Sequence, residues 1–199
     1  MDRTERAALA AETDRLVAEG RYGPVPTASL HLPDEPLPEP GPAGPSTVEI
    51  LALAASLRTA PEFYAYHRAR PDPVYSDRVI HSPEVAVFRE DSGRLIAPYP
   101  VAFLTAAAPN AGALREPVDL PGVLRRRAGR VLGVALAHGH RRLVLGAWGC
   151  GVFRNDPRQV AAAFADLLGP GRPYAGRFDL VVFAVPDPTN RGPFAAAFG

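Results

Sequence analysis

The sequence predicts a three-layer α/β domain built on a mixed, largely parallel sheet, and three observations predict it. Val101-Ala102-Phe103-Leu104-Thr105, Leu143-Val144-Leu145-Gly146 and Leu180-Val181-Val182-Phe183-Ala184-Val185 are continuous apolar runs. Such runs suit strands covered on both faces better than alternating ones. The stretches between them, 118–137 and 157–168, repeat apolar residues at helical spacing. Strand, helix, strand, helix, strand at these lengths implies right-handed crossovers within one sheet.

Taken in order, residues 4–20 read as an amphipathic packing helix, with Leu9, Thr13, Leu16 and Val17 at i, i+3 and i+4 spacing and Gly20 as its stop. From Tyr22 to Pro45 the prolines are too dense for a continuous helix or a central strand, which makes this segment a loop or connector. Thr47–Ile50 is a candidate short strand, and helix-forming Leu51–Leu57 follows. Pro61-Glu62-Phe63-Tyr64-Ala65-Tyr66-His67-Arg68 reads as a short helix closed by Pro71 and Pro73. Val79–His81 and Val85–Phe88 flank Ser82-Pro83-Glu84, and a Glu90–Gly93 turn precedes Leu95-Ile96, which together suggest a small antiparallel excursion.

Composition bounds the class. The 199 residues suffice for one domain with a proper core. The 23 prolines are well above the usual share of about 5%, and they mark loops. A net charge of +1 gives no electrostatic reason to expect nucleic acid, although every basic residue is Arg. The single cysteine, Cys150, excludes an intrachain disulfide and a multi-cysteine zinc site. The charged N-terminus lacks the apolar core of a signal peptide, and no apolar run reaches the length of a spanning helix. A cytoplasmic protein without membrane contact is therefore expected.

The run from Arg142 to Val160 carries the candidate site. A strand ends at Gly146, and a helix begins near Asn155-Asp156-Pro157, where Asn155 or Asp156 can cap it and Pro157 suits the first turn. Gly146, Gly149 and Gly151 permit positive φ and close approach of N–H groups to an anion, and the helix N-terminus adds favourable partial charge. A diphosphate fits that description, and Trp148 and Phe153 could wall a ribose or base. A second loop, Ala108-Pro109-Asn110-Ala111-Gly112, follows the 101–105 strand. In an open parallel sheet both loops lie beyond the carboxyl ends of the strands, which favours one cleft with Asn110 as a further ligand contact or a turn former. Cys150 is a poor nucleophile candidate because His138 and His140 precede the strand at its opposite end. His67, Asp72, Tyr75, Asp77 and His81 lack compact metal-ligand spacing and read as ordinary turn and surface residues. No metal or cofactor is expected.

Leu145-Gly146-Ala147-Trp148-Gly149-Cys150-Gly151-Val152-Phe153-Arg154-Asn155-Asp156-Pro157 resembles the hallmark of the microbial-type poly(ADP-ribose) glycohydrolases, a macrodomain-like family. Tyr75–Pro83, Thr105–Gly112 and Phe178–Asp187 carry the likeness further, from about Leu51 to near the C-terminus. The resemblance implies a macrodomain-like fold that binds ADP-ribose or an ADP-ribosylated macromolecule, with Gly146, Ala147, Trp148, Gly149, Cys150, Gly151, Val152 and Phe153 around the diphosphate. It divides the chain into an N-terminal helix (1–22), a proline-rich linker (23–46) and a macrodomain-like domain (47–199).

The family also implies a Gly-Gly-Gly loop followed by Gln-Glu-Glu, and this sequence has neither. Either Val48-Glu49-Ile50 is a degenerate Gln-Glu-Glu that leaves Glu49 as the only catalytic carboxylate, or Thr47–Ile50 is an earlier strand and the catalytic segment is deleted behind it. The deletion is preferred, since the Leu51 likeness resumes abruptly and the chain is shorter than the family norm, which makes the fold a truncated one. Glycosidic cleavage needs a carboxyl group to protonate the leaving oxygen, so weak or absent hydrolase activity is expected. A partner-binding relic without nucleotide binding is the alternative from another class.

Overall fold

The computed structural model describes residues 8, 11–12, 15–16, 18–19, 25–32, 53–89 and 94–199. Glu49, the candidate strand Thr47–Ile50 and most of the proline-rich stretch lie outside them. The described elements, in chain order, are β1 (Ser29–His31), α1 (Leu53–Leu57), α2 (Pro61–Ala69), β2 (Val79–Arg89), β3 (Leu95–Ala106), a 3-10 turn (Ala111–Ala113), α3 (Leu120–Ala137), β4 (Arg142–Leu145), α4 (Pro157–Leu168), β5 (Leu180–Phe183) and α5 (Pro188–Phe198). The fold is α/β, as expected. The contacts divide it into two compact units.

One unit holds the described residues 8–30, 53–66 and 80–105. Its sheet has the order β1-β2-β3. Ala8, Ala11, Glu12, Arg15, Leu16 and Ala18 are helical, and Leu16, 1% exposed, packs with Ala86 and Phe88 of β2. A second small cluster joins Ala28, Ala60, Phe63 and Ile80. Polar clasps hold it in place: the Ala28 N–H donates to Thr59 Oγ1 (2.8 Å), which donates to Ser56 O (2.7 Å).

Two expectations change here. The proline-rich stretch is not connector throughout, because the tripeptide Ser29-Leu30-His31 escapes the prolines and forms β1 at a sheet edge, where a lost ladder donor costs least. The expected small excursion is instead two long strands. β2 runs through Ser82-Pro83-Glu84 because Glu84 takes φ 48°, a local kink that absorbs the proline without ending the strand. β3 likewise joins Leu95-Ile96 to Val101–Thr105 across Pro98 and Pro100.

The other unit holds residues 31–32, 67–79 and 106–199 among those described. β4 and β5 pair in parallel, Arg142 with Leu180 through Leu145 with Phe183. Three helices begin in the same way, with an aspartate cap and a proline in the first turn. Asp119, Asp156 and Asp187 accept from the N–H groups of Gly122, Arg158 and Thr189. Sequence reading missed α5, although Asp187-Pro188 repeats the Asp156-Pro157 signal. The core gathers Leu124, Ala128 and Leu132 of α3, Val160, Ala161, Ala163, Phe164 and Leu167 of α4, with Val185 and Phe194.

β4 and β5 are not covered on both faces as their apolar runs suggested. Leu143, Leu145 and Phe183 pack against the helical core, whereas Val144 is 76% exposed and Val182 42%. The two-residue period of a strand sends alternate side chains away from the single helical layer that covers it. Among the described residues, no helix is long and apolar enough to cross a membrane.

Candidate functional site

The Gly-rich turn joins β4 to α4. Trp148 N–H donates to Gly146 O (2.8 Å), Cys150 N–H to Ala147 O (3.1 Å), Arg154 N–H to Gly151 O (2.9 Å) and Asn155 N–H to Gly149 O (3.1 Å). Among the described residues, the N–H groups of Gly149, Gly151, Val152 and Phe153 take no part in these bonds. They are four donors from consecutive turns of chain, next to the N-terminus of α4, which is the arrangement that suits an anion.

Of the three glycines expected to supply positive φ, only Gly149 does, at 73°. Gly149 is also closely fitted: a Cβ there would lie 2.4 Å from Asn155 Nδ2 and 2.5 Å from the Ala108 Cβ. Gly151 has open space instead. Val152 is 91% exposed at the crest of the turn.

The two loops expected to converge do meet. Asn155 is 3% exposed, and its Nδ2 donates both to Pro109 O (2.8 Å) and to Gly149 O (3.1 Å). Gly112 N–H donates to Phe153 O (3.1 Å), and Trp148 Nε1 donates to Ala106 O (3.1 Å). The capping alternative is thereby settled. Asp156 caps α4, and Asn155 is the bolt between the loops, a role that local patterns do not signal because Pro109 lies 46 residues away in sequence.

Asn110 is half-buried, and its N–H donates to Pro73 O (2.7 Å). It lines a cavity of about 850 Å³ together with His67, Arg70, Tyr75, Arg115 and Glu116 among others. The Tyr75 ring stacks on Phe153, with centroids 5.7 Å apart and 17° between planes. His67 meets Tyr75 edge-on at 5.5 Å, and its Nε2 lies 2.9 Å from Ser76 Oγ. Tyr75 itself holds φ 60°, an uncommon conformation for a side-chain-bearing residue at the wall of a cavity.

The residues between Asp72 and His81 are not the surface residues expected. His81 is 5% exposed within β2. Asp77 forms ion pairs with Arg126 and with Arg127, whose side chain is 1% exposed. Arg127 Nε donates to Asp77 Oδ1 (2.9 Å) and its Nη1 to Val74 O (3.0 Å) and Ala107 O (2.8 Å). One guanidinium thus ties the 74–77 loop and the start of the 107–113 loop to α3. Burial acts to raise the Asp77 carboxyl, but hydrogen bonds and charge from Arg126 and Arg127 hold it below its ordinary value. Burial works against the charge on Arg127, and Asp77 partly offsets it.

Cys150 is half-buried, and its thiol is pushed up to about 11, first by burial and then by Asp156. His138 hydrogen-bonds with His31 (2.9 Å), and burial lowers both His138 and His140. A protonated thiol and an imidazole committed elsewhere do not make a nucleophile pair, in line with the sequence reading.

The microbial-type PARG catalytic domain model matches residues 49–90. A crystal structure of poly(ADP-ribose) glycohydrolase from Thermomonospora curvata, a glutamate-to-alanine mutant, is 39% identical with TM-score 0.82, covering 98% of this chain and 100% of that one. The Thermomonospora enzyme bound to the inhibitor ADP-HPD matches equally well. The Deinococcus radiodurans enzyme in complex with ADP-ribose is 48% identical with TM-score 0.65, over 73% of this chain and 61% of that chain. No curated protein sequence matches.

Proposed function

Because the chain belongs to the microbial-type poly(ADP-ribose) glycohydrolase family, we propose that it binds ADP-ribose on the Gly146–Phe153 turn with weak or no hydrolase activity. The observation that carries the binding reading is the turn itself. Asn155 bolts it to the Pro109 loop, and the Gly149, Gly151, Val152 and Phe153 N–H groups stay out of its internal bonds beside a capped helix N-terminus. The diphosphate would sit on those groups, with the Phe153 ring against a ribose and Asn110 at the neighbouring loop.

The reading of weak turnover rests on sequence. The Gly-Gly-Gly and Gln-Glu-Glu elements are absent from the sequence, and the preferred alignment places the deletion behind Thr47–Ile50. Loss of a positioned general acid removes about 10²–10⁴-fold of rate. Family membership favours the competing reading, an active glycohydrolase that uses Glu49.

Calorimetry with ADP-ribose tests the binding reading, and absence of both heat and thermal stabilisation at millimolar ligand would leave a relic without nucleotide binding. A poly(ADP-ribose) release assay on wild type and Glu49→Gln tests the second part. The expected result is little release from either protein; robust release abolished by that one change would establish the active enzyme. We also place the protein in the cytoplasm, which cell fractionation checks.

A further inference from the structure

We infer that Tyr75 is a positioning residue for the ligand: held in a left-handed backbone conformation by the groups around it, it presents the ring that fixes Phe153 in its ligand-facing pose. The inference rests on the ADP-ribose reading of the Gly-rich turn and adds a residue to it.

The backbone supplies the first argument. Tyr75 holds φ 60°, a region that glycine or asparagine enters far more readily than tyrosine. Such a conformation persists only where the surroundings over-determine it. Here Pro73 O accepts from Asn110 N–H (2.7 Å), Val74 N–H donates to Asp72 Oδ1 (2.8 Å), and Tyr75 N–H donates to Asp72 O (3.0 Å). Arg127 then holds both flanks, with Nη1 donating to Val74 O (3.0 Å) and Nε to Asp77 Oδ1 (2.9 Å). A turn alone would be easier to build with glycine, so what the strain secures is the placing of the tyrosine side chain.

The ring supplies the second. It lies nearly parallel to that of Phe153, with centroids 5.7 Å apart and 17° between planes, and such a contact stabilises beyond the area it buries. Val152, just before Phe153, is 91% exposed, so the crest of the turn gives the ring little cover of its own. The main chain of Phe153 is fixed separately: its O accepts from Gly112 N–H (3.1 Å), and Arg154 after it holds φ 56°. Of the three non-glycine left-handed residues among those described, two thus border this one ring pair. With its backbone set from one side and its ring from the other, Phe153 is ordered before a ligand arrives. A side chain already ordered has less rotamer freedom to lose on binding.

The test titrates ADP-ribose by calorimetry into wild type, Tyr75→Phe, Tyr75→Leu and Tyr75→Asn, with the melting temperature of each. Tyr75→Phe keeps the ring and should bind like wild type. Tyr75→Leu should bind about fivefold more weakly, the worth of one aromatic contact. Tyr75→Asn suits the left-handed backbone, and should show the same loss with a melting temperature close to wild type. A merely structural role would weaken binding whatever side chain stands at 153, whereas a positioning role acts through Phe153 alone. Tyr75→Leu should therefore weaken binding no further when added to Phe153→Leu. Wild-type affinity in Tyr75→Leu and Tyr75→Asn overturns the inference, as does a Tyr75→Phe protein as weak as Tyr75→Leu. An equal loss with and without Phe153→Leu also overturns it, and so does a Phe153→Leu protein that binds like wild type. Failure of ADP-ribose to bind wild type defeats the preceding reading, and this one with it.

Discussion

Asn155 Nδ2 spans 2.8 Å to Pro109 O and 3.1 Å to Gly149 O, and the space it fills is the space that a side chain on Gly149 would need. Gly149→Ala would therefore clash with the amide and with Ala108 while holding φ near 73°. A non-glycine residue there costs about 1–2 kcal/mol in backbone strain, and overpacking adds about 1–3 kcal/mol. Denaturant unfolding should register a loss of at least about 2 kcal/mol. Binding lost in that variant says little about phosphate.

Gly151 separates the two effects. Its Cβ position is open, so Gly151→Val should leave the unfolding midpoint close to wild type while adding a branched side chain and restricting the backbone within the turn. ADP-ribose affinity is expected to fall about tenfold by calorimetry. Unchanged affinity with unchanged stability would remove the turn as the phosphate cradle.

The Asp77–Arg127 pair should dominate the acid limb of stability. Asp77→Ala leaves a buried guanidinium without its partner, a loss of about 3–5 kcal/mol. In wild type the Asp77 carboxyl sits below its ordinary value, so its stabilisation is complete above the unfolded value near 3.9 and is lost as pH falls through the folded one. Unfolding free energy should decline below about pH 4, and the Asp77→Ala protein should lack that component.

Cys150 should titrate with a midpoint of about 11 by thiolate absorbance and should react slowly with iodoacetamide at neutral pH. Its raised folded value also predicts stability lost as pH rises from the ordinary thiol range toward 11. A midpoint below 9 would show that the turn exposes the sulfur.

Trp148 is the chain's sole tryptophan and stands inside the turn, with its indole N–H on Ala106 O at 3.1 Å. ADP-ribose binding should shift its fluorescence, giving a saturable signal whose midpoint agrees with calorimetry. A calorimetric isotherm without any fluorescence change would place the ligand elsewhere.

By itself the sequence determined what depends on neighbours along the chain: the Asp156-Pro157 start of α4, the strand character of β4 and β5, the helical periods of α3 and α4, the Gly-rich turn and the family it belongs to. Those features were legible because capping, periodicity and turn chemistry act within a few residues. Tertiary structure alone decided that Asn155 is a bolt and Asp156 the cap, because the Pro109 carbonyl lies 46 residues away. It alone decided that Asp77 is an anchor, because Arg127 arrives from 50 residues on. It also decided that Val144 and Val182 face away from the core, since an apolar run records how hydrophobic a strand is and not how many layers cover it.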